Sequence, residues 1–401
     1  MAFGPVQLKN ERPSGSGRAV LLINSMGTGG AERAVALAAA RLRARGRDLR
    51  ILCLEKAPEE EAPSQELEVV YLSGMKTSAG PLMKLAALPL LAFRLSSYLA
   101  RQGVQTVMSH LFRANFVNIL ARLLARARHR AILVNHTRIS RLRAEGIQGR
   151  INWLLCRLLY PKADLVASVS SGAAAECAEL LGLSSRQSLT LHDPIDTEAA
   201  NAAAPREGAG DALVCAGRLV SLKRFGDLIE AFSRIAADFP RLSLRIVGDG
   251  PERADLERRA AESAAGPRIT FNGRVADPFG ALSGCAAFVS ASETEGFGMA
   301  IVEALALGIP VVASDCAYGP REILAPDTDP TRLLEPGAGM EIASFGILYP
   351  VGSVPELEKA LRRLLADEAI RSELARKGPG RAADFSAERA IAVYDRLLFS
   401  A

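Results

Sequence analysis

The chain has 401 residues, enough for two domains or three. With 49% hydrophobic and 23% charged residues it has the make-up of a globular protein, which excludes a disordered chain, a collagen-like fibre and a small disulfide scaffold. Net charge is +5, yet residues 1–200 carry 26 Lys and Arg against 16 Asp and Glu, while residues 201–401 carry 23 against 28. The basic front half points to a polyanionic partner (nucleic acid, an anionic membrane surface or a phosphorylated substrate), with a merely solvated basic face as the alternative.

Met1–Gly17 is polar and lacks the apolar centre of a signal peptide. Ala19–Asn24 then reads as a strand, Ala31–Arg45 as a helix and Leu49–Leu54 as a second strand. Pro81–Ala100 is interrupted by Lys84, Pro89 and Arg94 and falls short of the ~20 apolar residues of a membrane span. It reads as an apolar–basic helix, to lie on a membrane surface or to pack in the core. Val104–Ser109, Ala131–Asn135 and Leu165–Ser168 continue the strands, and residues 101–150 hold ten Arg with Glu145 the one acid. Leu191–Pro205, with its His-Asp-Pro-Ile-Asp stretch and Ala run, reads as a linker.

Alternation then restarts. Strands are predicted at Ala212–Ala216, Leu242–Val247, Ile269–Phe271, Ala286–Ser290 and Val311–Ala313. Helices are predicted at Phe225–Asp238, Glu252–Ala264, Gly298–Leu307, Pro355–Glu368 and Ala387–Ser400. The pattern is α/β: two Rossmann-like, doubly wound parallel sheets in tandem, with a cleft between them. Residues 1–195 form the first domain and 196–385 the second, with 386–401 crossing back to the first. Cys53, Cys156, Cys177, Cys215, Cys285 and Cys316 lie far apart without a C-x-x-C pair, as buried thiols of a reducing compartment do. The chain is therefore expected in the cytoplasm.

Open parallel sheets bind ligands at the carboxyl ends of their strands, and the informative motifs all follow predicted strands. Ser25-Met26-Gly27-Thr28-Gly29-Gly30-Ala31-Glu32-Arg33 opens a helix, where bare amides and the helix N-terminus favour a phosphate. As a dinucleotide fingerprint it fails, because Glu32 stands at the third glycine position. Gly217-Arg218-Leu219-Val220-Ser221-Leu222-Lys223 sets a bidentate fork and a point charge across a short loop, as a diphosphate requires. Glu295-Gly296-Phe297-Gly298-Met299 follows a third strand, and Glu303 lies within the apolar helix after it. Carboxylates accept from sugar hydroxyls, so two acids would grip two sugars while amides hold the phosphates between them.

Together, Gly29-Gly30-Ala31-Glu32-Arg33, Gly217-Arg218 with Lys223, Val247-Gly248-Asp249-Gly250-Pro251 and Glu295 with Glu303 resemble a glycosyltransferase of family 4, GT-B fold. The likeness takes in residues 18–400. It implies a retaining enzyme that uses a nucleotide-sugar donor, above all a UDP-sugar, and needs no cofactor or catalytic metal. By that resemblance Arg218 and Lys223 would bind the donor diphosphate, Glu295 the transferred sugar and Glu303 the ribose hydroxyls. The Gly296–Met299 amides would support sugar and phosphate, and Gly29 and Gly30 the donor from the facing domain. Gly248, Gly250 and the backbone near Arg274 would border the nucleobase.

The resemblance also implies a histidine near the reacting sugar. His110, after Val104–Ser109, is read in that catalytic role beside Glu295, Arg218 and Lys223, with a structural strand-end histidine as the alternative. His136 is a second candidate for the same cleft, and with Arg113 and Arg138 it is read on the acceptor side. His192 and Asp193 suggest a hinge or interdomain role, and His129 a surface position. Asp327-Thr328-Asp329 has metal-binding spacing but sits between Pro326 and Pro330, which argues for a turn.

Asp315–Leu324 resembles members that transfer N-acetylhexosamine in undecaprenyl-linked glycan assembly. The expected acceptor is therefore lipid-linked or a cell-surface glycan, met at an anionic membrane on its cytoplasmic side. No nucleic-acid motif accompanies the basic charge. A GT-B-like UDP-N-acetylglucosamine epimerase and a non-catalytic sugar-nucleotide-binding protein are the alternative readings.

Overall fold

The computed structural model describes residues 17–27, 29–57, 68–124, 128–203, 210–275 and 277–400. Met1–Ser16, Thr28 of the first glycine loop, Arg126, Pro205 of the linker and Ala401 lie outside them.

The first domain is built on β1 (Arg18–Ile23), β2 (Leu49–Cys53), β3 (Val69–Tyr71), β4 (Val104–His110), β5 (Arg130–Asn135), β6 (Leu165–Ser168) and β7 (Ser188–Thr190). They form a parallel sheet in the order β3-β2-β1-β4-β5-β6-β7. β1 shows why the sheet is covered twice. Ala19, Leu21 and Ile23 enter the core under one face, Val20 and Leu22 the core under the other. Helix Gly30–Ala44 closes the first face through Val35, Ala38, Ala39 and Leu42. Helix Leu88–Gln102 closes the second through Leu88, Leu91, Leu95 and Leu99, one apolar stripe at helical spacing.

The second domain repeats the plan with β8 (Ala212–Ala216), β9 (Ser243–Val247), β10 (Ile269–Gly273), β11 (Ala287–Ser290), β12 (Val311–Ser314), β13 (Glu341–Ala343) and β14 (Gly346–Tyr349). Their order is β10-β9-β8-β11-β12-β14-β13, parallel but for the β13–β14 pair. In each sheet the strand order reverses once, between β1 and β4 and between β8 and β11. Those are the points at which an open α/β sheet leaves a crevice for a ligand.

Several elements differ from the sequence reading. Pro81–Ala100 is two helices, Pro81–Ala86 and Leu88–Gln102, the second carrying Pro89 in its first turn where no amide partner is lost. The linker contains a short helix, Thr197–Ala202, because the Asp196 carboxylate accepts from the Ala199 N–H at 3.1 Å and caps it. Helices Pro320–Leu324 and Glu368–Ala382, the latter with Pro379 inside it, and strands β3, β7, β13 and β14 are additional.

The last helix, Ala387–Phe399, lies under the first sheet. Arg47 Nε meets Asp395 at 2.7 Å and Arg130 donates to the Leu397 carbonyl at 3.0 Å. One apolar cluster runs from β1 through Ile391, Tyr394 and Leu398 of this helix to Val302 and Leu305 of the second domain. Among the described residues no helix is long and apolar enough to cross a membrane.

Candidate active site

The loop after β8 sets the floor of the second domain's crevice. The Gly217 N–H donates to the Val247 carbonyl and the Leu219 N–H to the Asp249 carbonyl, each at 3.0 Å. This leaves no room for a side chain on the facing loop. A Cβ at Gly248 would lie 1.9 Å from the Gly217 oxygen, and one at Gly250 2.3 Å from the Leu219 oxygen. Gly248 and Gly250, expected beside a nucleobase, are thus required by the packing of two strand-end loops.

Lys223 ends a 3-10 turn, Ser221–Lys223, and its Nζ donates to Glu295 Oε1 at 2.5 Å. Ser292 Oγ donates to the same oxygen at 2.6 Å. The Glu295 main chain is fixed as well, since its N–H donates to the Ala317 carbonyl at 3.2 Å and its carbonyl accepts from the Tyr318 N–H at 3.1 Å. Two residues far apart in sequence are therefore one unit. Arg218, in the same loop as Lys223, is exposed and has no side-chain partner among the described residues. Arg274 is exposed just beyond β10.

After Glu295 the chain enters helix Met299–Ala306 with Gly298 at its N-cap. Phe297 is buried, its ring 5.2 Å from His192 and 5.1 Å from Phe385, which leaves only its backbone for a ligand. Glu303, 3% exposed, pairs with Arg33 of the first domain. A buried carboxylate needs such a partner.

The first domain reaches this loop at several points. A Cβ at Gly296 would lie 2.0 Å from the His136 carbonyl oxygen, and Ser170 Oγ donates to the Gly296 carbonyl at 2.7 Å. Gly29 caps helix Gly30–Ala44, and Gly30 lies so near Met299 that a Cβ there would be 3.2 Å from its sulfur. The first turns of two helices, one from each domain and each a partial positive charge, thus come together at the cleft.

His110, at the end of β4, is fully buried and stands behind His136, to whose Nε2 its Nδ1 is bonded at 2.9 Å. Burial, reinforced by His136, holds its pKa well below the ordinary 6.5. Its ring lies nearly parallel to Tyr394, 6.2 Å away. His136 in turn sets Nδ1 3.5 Å from an Asp193 carboxylate oxygen. Of the two histidines, His136 is the one that meets the Glu295 loop.

Arg113 meets the buried Glu55 at 2.8 Å, beside Lys84 at 3.3 Å. Arg138 bonds Ser140 and Glu176 and lies over the Tyr318 ring, so it joins the interdomain contact. His192 bonds Glu322 at 2.7 Å, while the Ser171 N–H and hydroxyl both donate to the other carboxylate oxygen at 2.8 Å. Burial would raise the Glu322 pKa, but the His192 and Ser171 bonds outweigh it and hold it below the usual 4.5. His129 corrects the surface expectation: it is buried and bonded to Asn118 at 2.8 Å. Asp327–Asp329 is an exposed turn in which Asp329 accepts from the Thr331 N–H at 2.9 Å. Among the described residues no group of three or more His, Cys, Asp or Glu is arranged to hold a metal ion.

The sequence reading gave no role to Arg33, Ser170, Ser171 or Glu322. The available signal was position, since Ser170 and Ser171 closely follow β6 and Arg33 lies in the glycine-loop motif.

Paired Rossmann-like domains with strand-end loops facing across a cleft define the GT-B architecture, and comparison with known proteins agrees. Residues 28–199 match the family model described as Glycosyltransferase Family 4, and residues 197–381 the one described as Glycosyl transferases group 1. Together the two matches take in residues 28–381, which places the chain among the glycosyltransferases.

It is 27% identical over 367 residues to the N-acetylgalactosamine-N,N'-diacetylbacillosaminyl-diphospho-undecaprenol 4-alpha-N-acetylgalactosaminyltransferase of Campylobacter jejuni, covering 91% of this chain and 94% of that protein. The lipopolysaccharide core biosynthesis glycosyltransferase LpsE of Rhizobium meliloti is 30% identical over 185 residues, 46% of this chain and 48% of its own. The crystal structure of Anabaena HepE with UDP and glucose superposes with a TM-score of 0.74 at 19% identity, over 95% of this chain and 99% of that one.

Proposed function

We propose that the protein is a retaining, metal-independent glycosyltransferase that moves a hexose or N-acetylhexosamine from a UDP-sugar to a lipid-linked or cell-surface glycan. The observation that carries this is the Lys223–Glu295 pair, seated beside the bare Gly296–Gly298 backbone with Arg218 free in the same loop. A UDP donor is favoured because HepE, which shares the fold, holds UDP and glucose. A lipid-linked acceptor is favoured by the name of the Campylobacter relative, which carries a diphospho-undecaprenol substrate.

In this reading the bond from the anomeric carbon to the donor phosphate breaks through an oxocarbenium-like state. Negative charge collects on the departing diphosphate, which Arg218, Lys223 and the Met299–Ala306 helix N-terminus would stabilise. The acceptor oxygen forms its bond on the face the diphosphate leaves, and its proton passes to a phosphate oxygen. Glu295 accepts from hydroxyls of the transferred sugar, Glu303 from those of the ribose.

Docking at an anionic membrane is supported by helix Gly146–Leu159 of the first domain. It exposes Ile147, Leu154 and Leu158 along with Arg150 and Arg157, an apolar stripe flanked by cations. Leu82 and Met83 of helix Pro81–Ala86 are exposed in the same way.

Donor binding is tested by thermal shift across UDP-, GDP- and ADP-sugars. Arg218→Ala, Lys223→Ala and Glu295→Ala are each expected to cut transfer by ~10² or more, with EDTA leaving the wild-type rate unchanged. Near-normal turnover in both Arg218→Ala and Lys223→Ala would remove the diphosphate assignment. Donor consumption without acceptor would favour an epimerase or hydrolase instead.

A further inference from the structure

Arg33, Lys223, Arg218, Glu295 and Glu303 gather at the cleft, and both carboxylates are already occupied by cations. Lys223 holds Glu295 from within the second domain, whereas Glu303 is held from the first domain by Arg33. The Glu303 pair joins residues 270 positions apart and is the longer-range of the two. Helix Met299–Ala306 supplies no cation of its own, for the residues around Glu303 are Ile301, Val302, Ala304 and Leu305. Arg33 projects from the first turn of helix Gly30–Ala44 and keeps 42% of its side chain exposed. It is anchored at one atom and open elsewhere.

The five side chains carry one net positive charge, and a donor diphosphate brings about two negative ones. Hydroxyls can satisfy a carboxylate but a phosphate cannot, whereas a guanidinium satisfies either. As sugar and ribose hydroxyls reach Glu295 and Glu303, each carboxylate releases a cation at the place where phosphate charge arrives. Lys223 makes that exchange within one domain. Arg33 makes it across the cleft.

We propose that Arg33 is a donor-exchanged cation, paired with Glu303 until the donor arrives and passed to the donor diphosphate once the ribose hydroxyls take that carboxylate. This rests on the donor reading above and adds to it a cation supplied by the opposite domain. Because the released arginine stays on the first domain, nucleotide binding keeps the two domains tied through phosphate in place of carboxylate.

The test compares uridine with UDP by calorimetry. Uridine offers the hydroxyls without the phosphates, so the ratio of the two affinities isolates what the phosphates gain. In Arg33→Met the UDP preference over uridine is expected to fall about tenfold, the worth of one charge-assisted hydrogen bond, while uridine binds at least as well as to wild type. Arg33→Lys should restore part of the ratio. Should Arg33→Met fold poorly with Glu303 left unpaired, Arg33→Met combined with Glu303→Gln removes the buried charge, and its ratio is read against Glu303→Gln alone. An unchanged ratio, or uridine and UDP weakening in parallel, overturns the exchange and leaves Arg33 as a positioning residue for Glu303. Wild-type protein that binds neither ligand overturns the donor reading itself, and this proposal with it.

Discussion

Gly296 is a single residue at which the two domains meet. Its backbone lies against the His136 carbonyl, and even a methyl group would stand 2.0 Å from that oxygen. No side-chain rotation relieves such a clash, because the obstacle is main chain. Gly296→Ala is therefore expected to hold the domains apart and carry Glu295 out of line with any group on the first domain. A displacement near 1 Å costs on the order of 10² in rate. Transfer should drop by about that factor, with a larger radius of gyration in small-angle scattering and little change in Tm. Unchanged scattering and near-normal turnover would show that the contact does not hold the cleft in its working form.

At the scale of elements, the loop joining β12 to β13 is held by one buried arginine. Arg321, 5% exposed, bonds both Asp315 oxygens at 2.6–3.0 Å and reaches Glu341 of β13 at 2.7 Å. Asp315 also accepts from the Leu334 N–H at 2.7 Å, so one carboxylate anchors two stretches of loop. Arg321→Met leaves Asp315 buried without its partner, and such losses cost about 3–5 kcal/mol. Denaturant unfolding should show that loss, and a variant as stable as wild type would reduce the pair to ornament.

The same elements show what a sequence can tell. β1, β5 and β8 were legible because each contains an unbroken apolar run long enough to mark a strand buried on both faces. β13, Glu341-Ile342-Ala343, holds no apolar run, and β14 opens on Gly346, a residue that reads as a turn. Glu368–Ala382 was hidden by Gly378-Pro379-Gly380, whose breaker signal is overridden by packing: a Cβ at Gly378 would sit 2.9 Å from the Leu305 carbonyl. Within the site, Lys223 and Glu295 were each legible because both follow strands, as ligands of diphosphate and sugar and not as partners of one another. Arg33 with Glu303, and Ser171 with Glu322, join residues 270 and 151 positions apart, and local pattern holds no trace of such partners.

Over the whole molecule, the charge asymmetry has a definite address. The exposed Ile147, Leu154 and Leu158 share a helix with Arg150 and Arg157, all on the first domain. Each cation near an anionic surface contributes about 1 kcal/mol, and salt screens that attraction. Flotation with vesicles of anionic lipid should capture the protein at low salt and release it as salt rises. Ile147→Glu with Leu158→Glu should weaken capture further. Failure to float on anionic vesicles at low salt would remove the membrane from the account.

The closing helix, Ala387–Phe399, belongs in sequence to the end of the chain and in space to its beginning, where Tyr394 lies beneath His110. A ribosome making this protein therefore releases the first sheet long before the helix that shields one of its faces exists. Ile391, Leu397 and Leu398 are joined only after the whole of the second domain. Until they emerge, the nascent front half exposes an apolar surface of the kind that chaperones hold, so the core of the first domain is completed only after the second domain has been made.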